Sequence, residues 1–266
     1  KAPLQRLMAL VGGFYFLNPL FMTRPLIESL SVPFLTLSSY FLFKAYNGRK
    51  VFSSSFLSVL FLGVACLFRY QVGLWAAAYA ALLFIPQKKK AFAGLAIGGV
   101  LTFIATGLPD FYLKGAFHGS LKSYLAYNLE HSSIYGTTPF FSYLLLLIGL
   151  SLPPTFFAKF NGFKWKAYAW DFLPLILGFA AFVLGHSAVP HKEERFMVPI
   201  LLIFWILLVP LLFILKEKQN WRLRYFAILN LLLILPASFN PPQINTIRLV
   251  KYVEEKNADK RLIKVS

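Results

Sequence analysis

The sequence predicts an all-α membrane protein, a bundle of helices that crosses an apolar layer many times. Three observations predict it. Hydrophobic residues make up 58% of the 266, charged residues only 14%, and the mean hydropathy is +0.64, values that belong to integral membrane proteins rather than soluble domains. Apolar runs recur along the whole chain. The basic residues between those runs fall unequally on alternate connections, as the positive-inside rule requires of a multispanning chain.

The runs lie at roughly 7–22, 28–46, 51–68, 72–86, 91–107, 140–158, 168–189, 196–215 and 222–239. That is about nine transmembrane helices, although several runs fall short of the ~20 residues a span usually needs. Threading the chain back and forth puts fifteen of the 27 Lys and Arg residues on one face, among them Arg49, Lys50, Lys88, Lys89, Lys90, Lys164, Lys166, Arg222 and Arg224. The short connections of the other face hold six: Arg24, Arg69, Lys114, Lys122, Lys192 and Arg195. The first face is therefore cytoplasmic. A net charge of +17 would point to nucleic acid in a soluble protein; here orientation in the membrane accounts for it, and no nucleic-acid partner is expected.

The first run ends in Thr23-Arg24-Pro25-Leu26-Ile27-Glu28-Ser29 on the outer face. Arg24 and Glu28, four apart, suit a pair across one helical turn, and an Arg at a span's outer end equally suits anion capture. Asn47-Gly48-Arg49-Lys50 is a tight basic turn. Arg69-Tyr70-Gln71 makes the next outer turn, with Tyr70 and Trp75 placed as interfacial belt residues would be. Pro86 to Lys90 closes the following span on the cytoplasmic side.

Residues 108–139 form the longest polar interval, on the outer face. Loops of this length are usually functional or disordered. Its aromatic density favours order, with a short amphipathic helix along the membrane surface at about 116–130. Tyr112, Tyr124, Tyr127 and Asn128 suit the hydrogen bonding and face-stacking of a sugar, though each tyrosine taken singly is also what an aromatic belt supplies. Tyr135-Gly136-Thr137-Thr138-Pro139 then frees the backbone at Gly136 and stops it at Pro139.

Lys159 to Lys166 is again basic, and Asp171 opens the next span as the one acid of that side placed to be buried. Pro153, Pro154, Pro174 and Pro210 fall within apolar runs, where proline kinks helices. Residues 1–239 are read as the transmembrane core and 240–266 as a polar tail on the outer face, with Thr246 to Val253 alternating in part like a small strand. His118, His131, His186 and His191 lack metal-ligand spacing, so no metal is expected. The single Cys66 leaves the redox compartment unread. No P-loop, GxGxxG, HExxH or Ser-His-Asp order occurs, which excludes the usual soluble-enzyme chemistries.

The densest polar cluster is His191-Lys192-Glu193-Glu194-Arg195-Phe196, set between the runs 168–189 and 196–215. A solvated loop anchoring two helix ends is one reading. Interfacial anchors seldom need an acid pair flanked by two bases, however, and charge at a membrane boundary is costly unless used. Arg offers a planar fork for phosphate, Lys a point charge and Glu an acceptor for a hydroxyl or proton. The cluster is thus a candidate site for an anionic, lipid-linked substrate.

These six residues resemble the H-K-E-x-R-F signature of the multispanning mannosyltransferases that build N-glycan precursors and glycosylphosphatidylinositol anchors from polyprenyl- or dolichyl-phosphate mannose. Asp110 to Gly115, Asn128 and Tyr135-Gly136-Thr137-Thr138-Pro139 resemble that family's D-x-x-Y-G, F-N and Y-G-T-x-P run at similar spacing. Arg24 to Ser29 is similar to its R-T-x-S-N-S, with departures at Pro25 and Glu28. The likeness covers roughly residues 20–240.

The resemblance implies a GT-C-type helical bundle and an α-mannosyltransferase, with a lipid-linked sugar donor, a glycan or glycolipid acceptor and no cofactor. Its active face would be the lumenal side of the endoplasmic reticulum membrane or the periplasmic side of a bacterial inner membrane. Substrate would meet His191, Lys192, Glu193 and Arg195 together with Asp110, Tyr112, Asn128, Tyr135, Arg24 and Arg69. The family carries an acidic pair in its first outer loop, and the Asp of that pair is the expected base. Nothing before Thr23 corresponds to it, so the catalytic base stays unassigned and an N-terminal segment of the same protein is expected as a partner. Two other readings stand beside this one: a lipid or anion transporter or flippase, and a non-catalytic paralogue.

Overall fold

In an apolar layer the backbone has no hydrogen-bond partner but itself, and this chain answers with helices throughout. The computed structural model describes residues 26–131, 134, 136–155, 158–218, 220–239 and 244–258, together with Arg6, Ala9, Tyr15, Leu17 and Asn18. Its elements are α1 (Ile27–Tyr46), α2 (Val51–Phe68), a 3₁₀ helix (Tyr70–Phe84), α3 (Lys88–Lys114), α4 (Gly119–His131), α5 (Ser142–Thr155), α6 (Trp165–Asp171), α7 (Leu173–Ala188), a 3₁₀ turn (Glu194–Met197), α8 (Val198–Lys218), α9 (Asn220–Phe239) and α10 (Ile244–Ala258).

The expected helix positions hold from residue 27 onward, but the expected nine spans do not follow from them. Among the described residues three helices are long and apolar enough to cross a membrane: Val51–Phe68, Lys88–Lys114 and Glu194–Leu215. A fourth is reached if α6 and α7, bent by 82°, count as one broken span. The others fall short for visible reasons. Glu28 and a row of serines dilute α1, and the run at 7–22 lies largely outside the described residues.

The 3₁₀ helix is fifteen residues long, well beyond the few residues usual for that winding. Its rise of ~2.0 Å per residue carries it about 30 Å, where an α-helix of equal length would reach about 22 Å. A helix, α4, stands where one is expected at about 116–130.

Three expectations are corrected. Thr246 to Val253 is helical, part of α10, not a strand: an alternation of two or three apolar residues fits a helix as well as a strand. Asp171 is exposed, ending α6 at the bend rather than entering a buried span. Pro174 starts α7 instead of kinking it, because its missing N–H costs nothing in a first turn. Pro210 does sit inside α8, and Pro153 and Pro154 fall in the last turn of α5.

Helix α2 lies between α1 and α3 and packs extensively on both. Small residues make this possible. A Cβ at Gly94 would collide with the Phe52 carbonyl oxygen, and one at Gly98 would stand 2.9 Å from that of Phe56, so this Gly-x-x-x-Gly face brings two backbones together. On the other side Ser58 donates its hydroxyl to the Ser38 carbonyl at 2.8 Å across the α1–α2 seam. Trp75, Phe182, Leu35 and Trp205 are fully buried among these helices.

Contacts between helix ends collect at two poles. One pole gathers Phe43, Tyr46, Phe84, Trp170 and Phe172, with the Tyr46 hydroxyl donating to the Trp170 carbonyl at 2.9 Å. The other gathers the start of α1, the end of α2, the connection before α5, the end of α7 and the turn before α8. That second pole holds the polar cluster.

Candidate anion site at one pole of the bundle

The cluster assembles from segments far apart in the chain. Glu28, in the first turn of α1, accepts from Arg69, the residue that ends α2, at 2.6 Å between Oε1 and NH1. Both side chains are largely removed from solvent, 4% and 13% exposed. The guanidinium of Arg69 lies over the ring of Phe196, 4.5 Å from its centre, so a cation–π contact supports the face that Glu28 leaves open. Glu28 pairs with Arg69; Arg24, the partner that the spacing suggested, lies outside the described residues.

Arg195 completes the group. Its Nε lies 3.8 Å from the same Glu28 oxygen and 2.5 Å from Oε2 of Glu193, while its terminal nitrogen donates to Glu193 Oε1 at 3.2 Å. The His191 Nε2–H donates to that Oε1 at 3.0 Å. Burial pushes the Glu193 carboxyl up, but the hydrogen bonds from Arg195 and His191 outweigh it and hold the group below the usual carboxylate range. Burial lowers the pKa of Arg69 despite the opposing pull of Glu28, with the Arg195 charge adding to the decrease. Two cations share one side of this site.

The segment 136–139 straps the hexapeptide down. Thr138 donates its backbone N–H to the Pro190 carbonyl at 3.0 Å, and Lys192 donates from Nζ to the carbonyls of Thr138 and Val189 at 3.0 and 2.7 Å. Tyr143, in the first turn of α5, donates to the Glu193 carbonyl and accepts from the Glu193 N–H, both at 3.1 Å. The backbone of Glu193 is thereby fixed while its carboxylate stays a third exposed. Helix α4 joins from the side: the Gln71 amide hydrogen-bonds the Tyr124 hydroxyl, and Tyr70 and Tyr124 stack obliquely 5.3 Å apart.

Of the residues singled out from sequence, His191, Lys192, Glu193, Arg195 and Arg69 come together. Asp110 instead binds the start of α4, accepting from the Ser120 N–H at 2.7 Å and from its hydroxyl at 2.5 Å. Tyr112 is 78% exposed, and Asn128 donates to the Tyr124 carbonyl within α4. Tyr135 lies outside the described residues. The sequence reading missed Glu28 as a member of the cluster, although an acid opening an apolar run is itself a signal. It also missed Tyr143, whose role depends on a hydroxyl reaching an extended segment fifty residues away.

Glu193, Arg195 and the Thr138 strap come from the H-K-E-x-R-F and Y-G-T-x-P segments, and the family's sequence profile matches residues 3–256. The chain belongs to the Alg9-like mannosyltransferase family. Among curated members it is similar to GPI mannosyltransferase 3 of Saccharomyces cerevisiae, 27% identical over 241 residues, covering 83% of this chain and 38% of that protein. It is similar too to GPI mannosyltransferase 3 of Yarrowia lipolytica, 27% identical over 250 residues, covering 87% of this chain and 45% of that protein. The chain thus spans less than half the length of these Alg9-like relatives. No solved structure matches it.

Proposed function

We propose that this Alg9-like chain takes part in mannosyl transfer at the non-cytoplasmic face of a membrane. The donor would be a polyprenyl- or dolichyl-phosphate mannose and the product α-linked. The observation that carries the reading is the meeting of Arg69 and Arg195 over the Phe196 ring, at the pole to which the strap ties the hexapeptide. Two guanidiniums converging on an apolar floor suit a lipid phosphate, whose head is anionic and whose tail stays among the helices.

In the reaction, an acceptor hydroxyl attacks the anomeric carbon of mannose and gives its proton to a carboxylate, while the bond from that carbon to the phosphate oxygen breaks. The phosphate leaves with one more negative charge than it carried as a diester. Arginines poised beforehand stabilise that growing charge without reorganising, which is where electrostatic catalysis acts. The names of the relatives favour a glycosylphosphatidylinositol precursor as acceptor, hence an endoplasmic reticulum membrane, over the N-glycan and bacterial readings. The ion pairs and hydrogen bonds of the cluster all lie at one pole, which favours transfer at a surface over passage of a lipid headgroup through the bundle.

The test is transfer of labelled mannose from a lipid-phosphate donor to glycolipid in membranes carrying the full-length protein. Label in a mannosylated glycolipid, lost with Arg195→Ala at unchanged expression, supports the reading. Undiminished transfer in that variant removes the cluster from the chemistry.

A further inference from the structure

Two carboxylates face the two arginines, and their surroundings differ. Glu28 is 4% exposed, belongs to a helix, and offers one oxygen to Arg69 at 2.6 Å and to Arg195 at 3.8 Å. Glu193 is 33% exposed and sits on extended backbone, φ −128° and ψ 143°, just ahead of the 3₁₀ turn. Its two oxygens take Nε and a terminal nitrogen of Arg195, the planar fork that fits a carboxylate and a phosphate alike.

Resting on the phosphate-donor reading above, we infer that Glu28 is the permanent counter-ion of a two-arginine phosphate seat and Glu193 its exchangeable occupant, a carboxylate that yields the Arg195 fork to the donor's phosphodiester.

Charge counting supports the division. Arg69 and Arg195 would repel each other, and burial already disfavours the charge on Arg69. One carboxylate in common lets them stand together and leaves a single positive charge, the match for a phosphodiester that carries one negative charge. With Glu193 included, the four side chains sum to zero, so the seat is neutral before the donor arrives.

The energetics point the same way. Withdrawing a partner from a buried pair leaves an uncompensated charge and is strongly unfavourable, so Glu28 stays. A partly exposed pair is worth little, so a phosphate can displace Glu193. Lys192 is no rival for that role, since two of its three N–H groups go to the carbonyls of Thr138 and Val189.

The experiment compares Glu193→Gln and Glu28→Gln in the full-length protein, by steady-state kinetics with a lipid-phosphate mannose donor. Removing the resident charge at 193 should lower the donor KM about two- to fivefold, the worth of an exposed ion pair, with kcat no higher than wild type. Glu28→Gln should cut kcat/KM about 100-fold or more, as loss of a buried partner does. The exchanged pair Glu28→Arg with Arg69→Glu should restore accumulation without restoring turnover. A donor KM that rises in Glu193→Gln overturns the inference, and so does turnover regained by the exchanged pair. Should Glu28→Gln fail to accumulate, the direction of the KM change in Glu193→Gln decides alone. A wild-type protein that transfers nothing from lipid-phosphate mannose sinks the proposed function itself, whereas wild-type turnover with a raised KM in Glu193→Gln sinks only the exchange.

Discussion

Thr138 gives both its backbone N–H, at 3.0 Å, and its hydroxyl, at 3.2 Å, to the carbonyl oxygen of Pro190. This one acceptor joins the segment ahead of α5 to the segment ahead of α8. It brings the two sequence signatures to the same pole, and the conduct of the site depends on that junction.

Lys192 and Arg195 should separate on mutation, although both are basic residues of one hexapeptide. Arg195 turns its fork toward the carboxylates, whereas Lys192 ties down Thr138 and Val189. Arg195→Ala is expected to lose about 100-fold or more in kcat/KM for mannosyl transfer, roughly the loss of one preorganised donor at the reacting charge. Arg195→Lys should recover little of it, since a point charge cannot replace the fork. Lys192→Ala should cost about tenfold, with faster proteolytic cleavage near residue 138. Equal losses in the two alanine variants would contradict the division.

Tyr143→Phe removes a hydroxyl that serves both polar groups of the Glu193 backbone. Leaving that N–H without its partner should destabilise the loop by about 1–3 kcal/mol. The expected signs are a lower Tm in detergent and a higher donor KM, with the α-helical circular dichroism unchanged. A wild-type Tm together with a wild-type KM would show that the hydroxyl is dispensable.

Acid should weaken the site in a definite window. The folded pKa of Glu193 lies below its unfolded value, near ~4.3 for an unperturbed Glu. The Glu193 interaction with Arg195 and His191 is then fully present above that unfolded value and fades as pH falls through the folded one. Wild type and Glu193→Gln should differ in Tm at pH 7 and converge as the pH drops through the lowered pKa of Glu193. A difference that stays constant through that range would mean that the carboxylate contributes nothing to stability.

Gly94 and Gly99 lie on one helix and should behave oppositely. A Cβ at Gly94 runs into the Phe52 backbone, while one at Gly99 finds nothing within 4 Å. Gly94→Ala should force α2 and α3 apart at a cost of about 1–3 kcal/mol. Gly99→Ala should be neutral or stabilising by up to about 1 kcal/mol through helix propensity. Thermal unfolding of both variants in the same detergent checks the contrast.

Much of the architecture is legible in the order of residues. Most helix positions between residues 27 and 239 follow from apolar runs, because a chain without water must close its own backbone hydrogen bonds; the 82° bend between α6 and α7 and the helix α10 do not. The short helix α4 follows from aromatic and polar residues mixed along one polar interval. Both signatures are visible as well, since unusual polar residues stand out against an apolar background. Apolarity alone misleads: residues 70–84 are wound as a 3₁₀ helix and are not among the candidate spans, and apolarity counts do not carry serine-rich α1 across a membrane as readily as they carry α2.

Composition and spacing by themselves determined that this chain is helical, apolar and equipped with a basic, acid-bearing hexapeptide at a helix start. Only the tertiary structure decided what that hexapeptide meets. Glu28 lies 41 positions from Arg69 and sits in a different helix from Arg195, and no periodicity links the three. Their convergence depends on how α1, α2 and α8 pack and on where the Thr138 strap lands. Local sequence sets which residues share a helix face, but the placing of charges from separate helices around one point is set by packing.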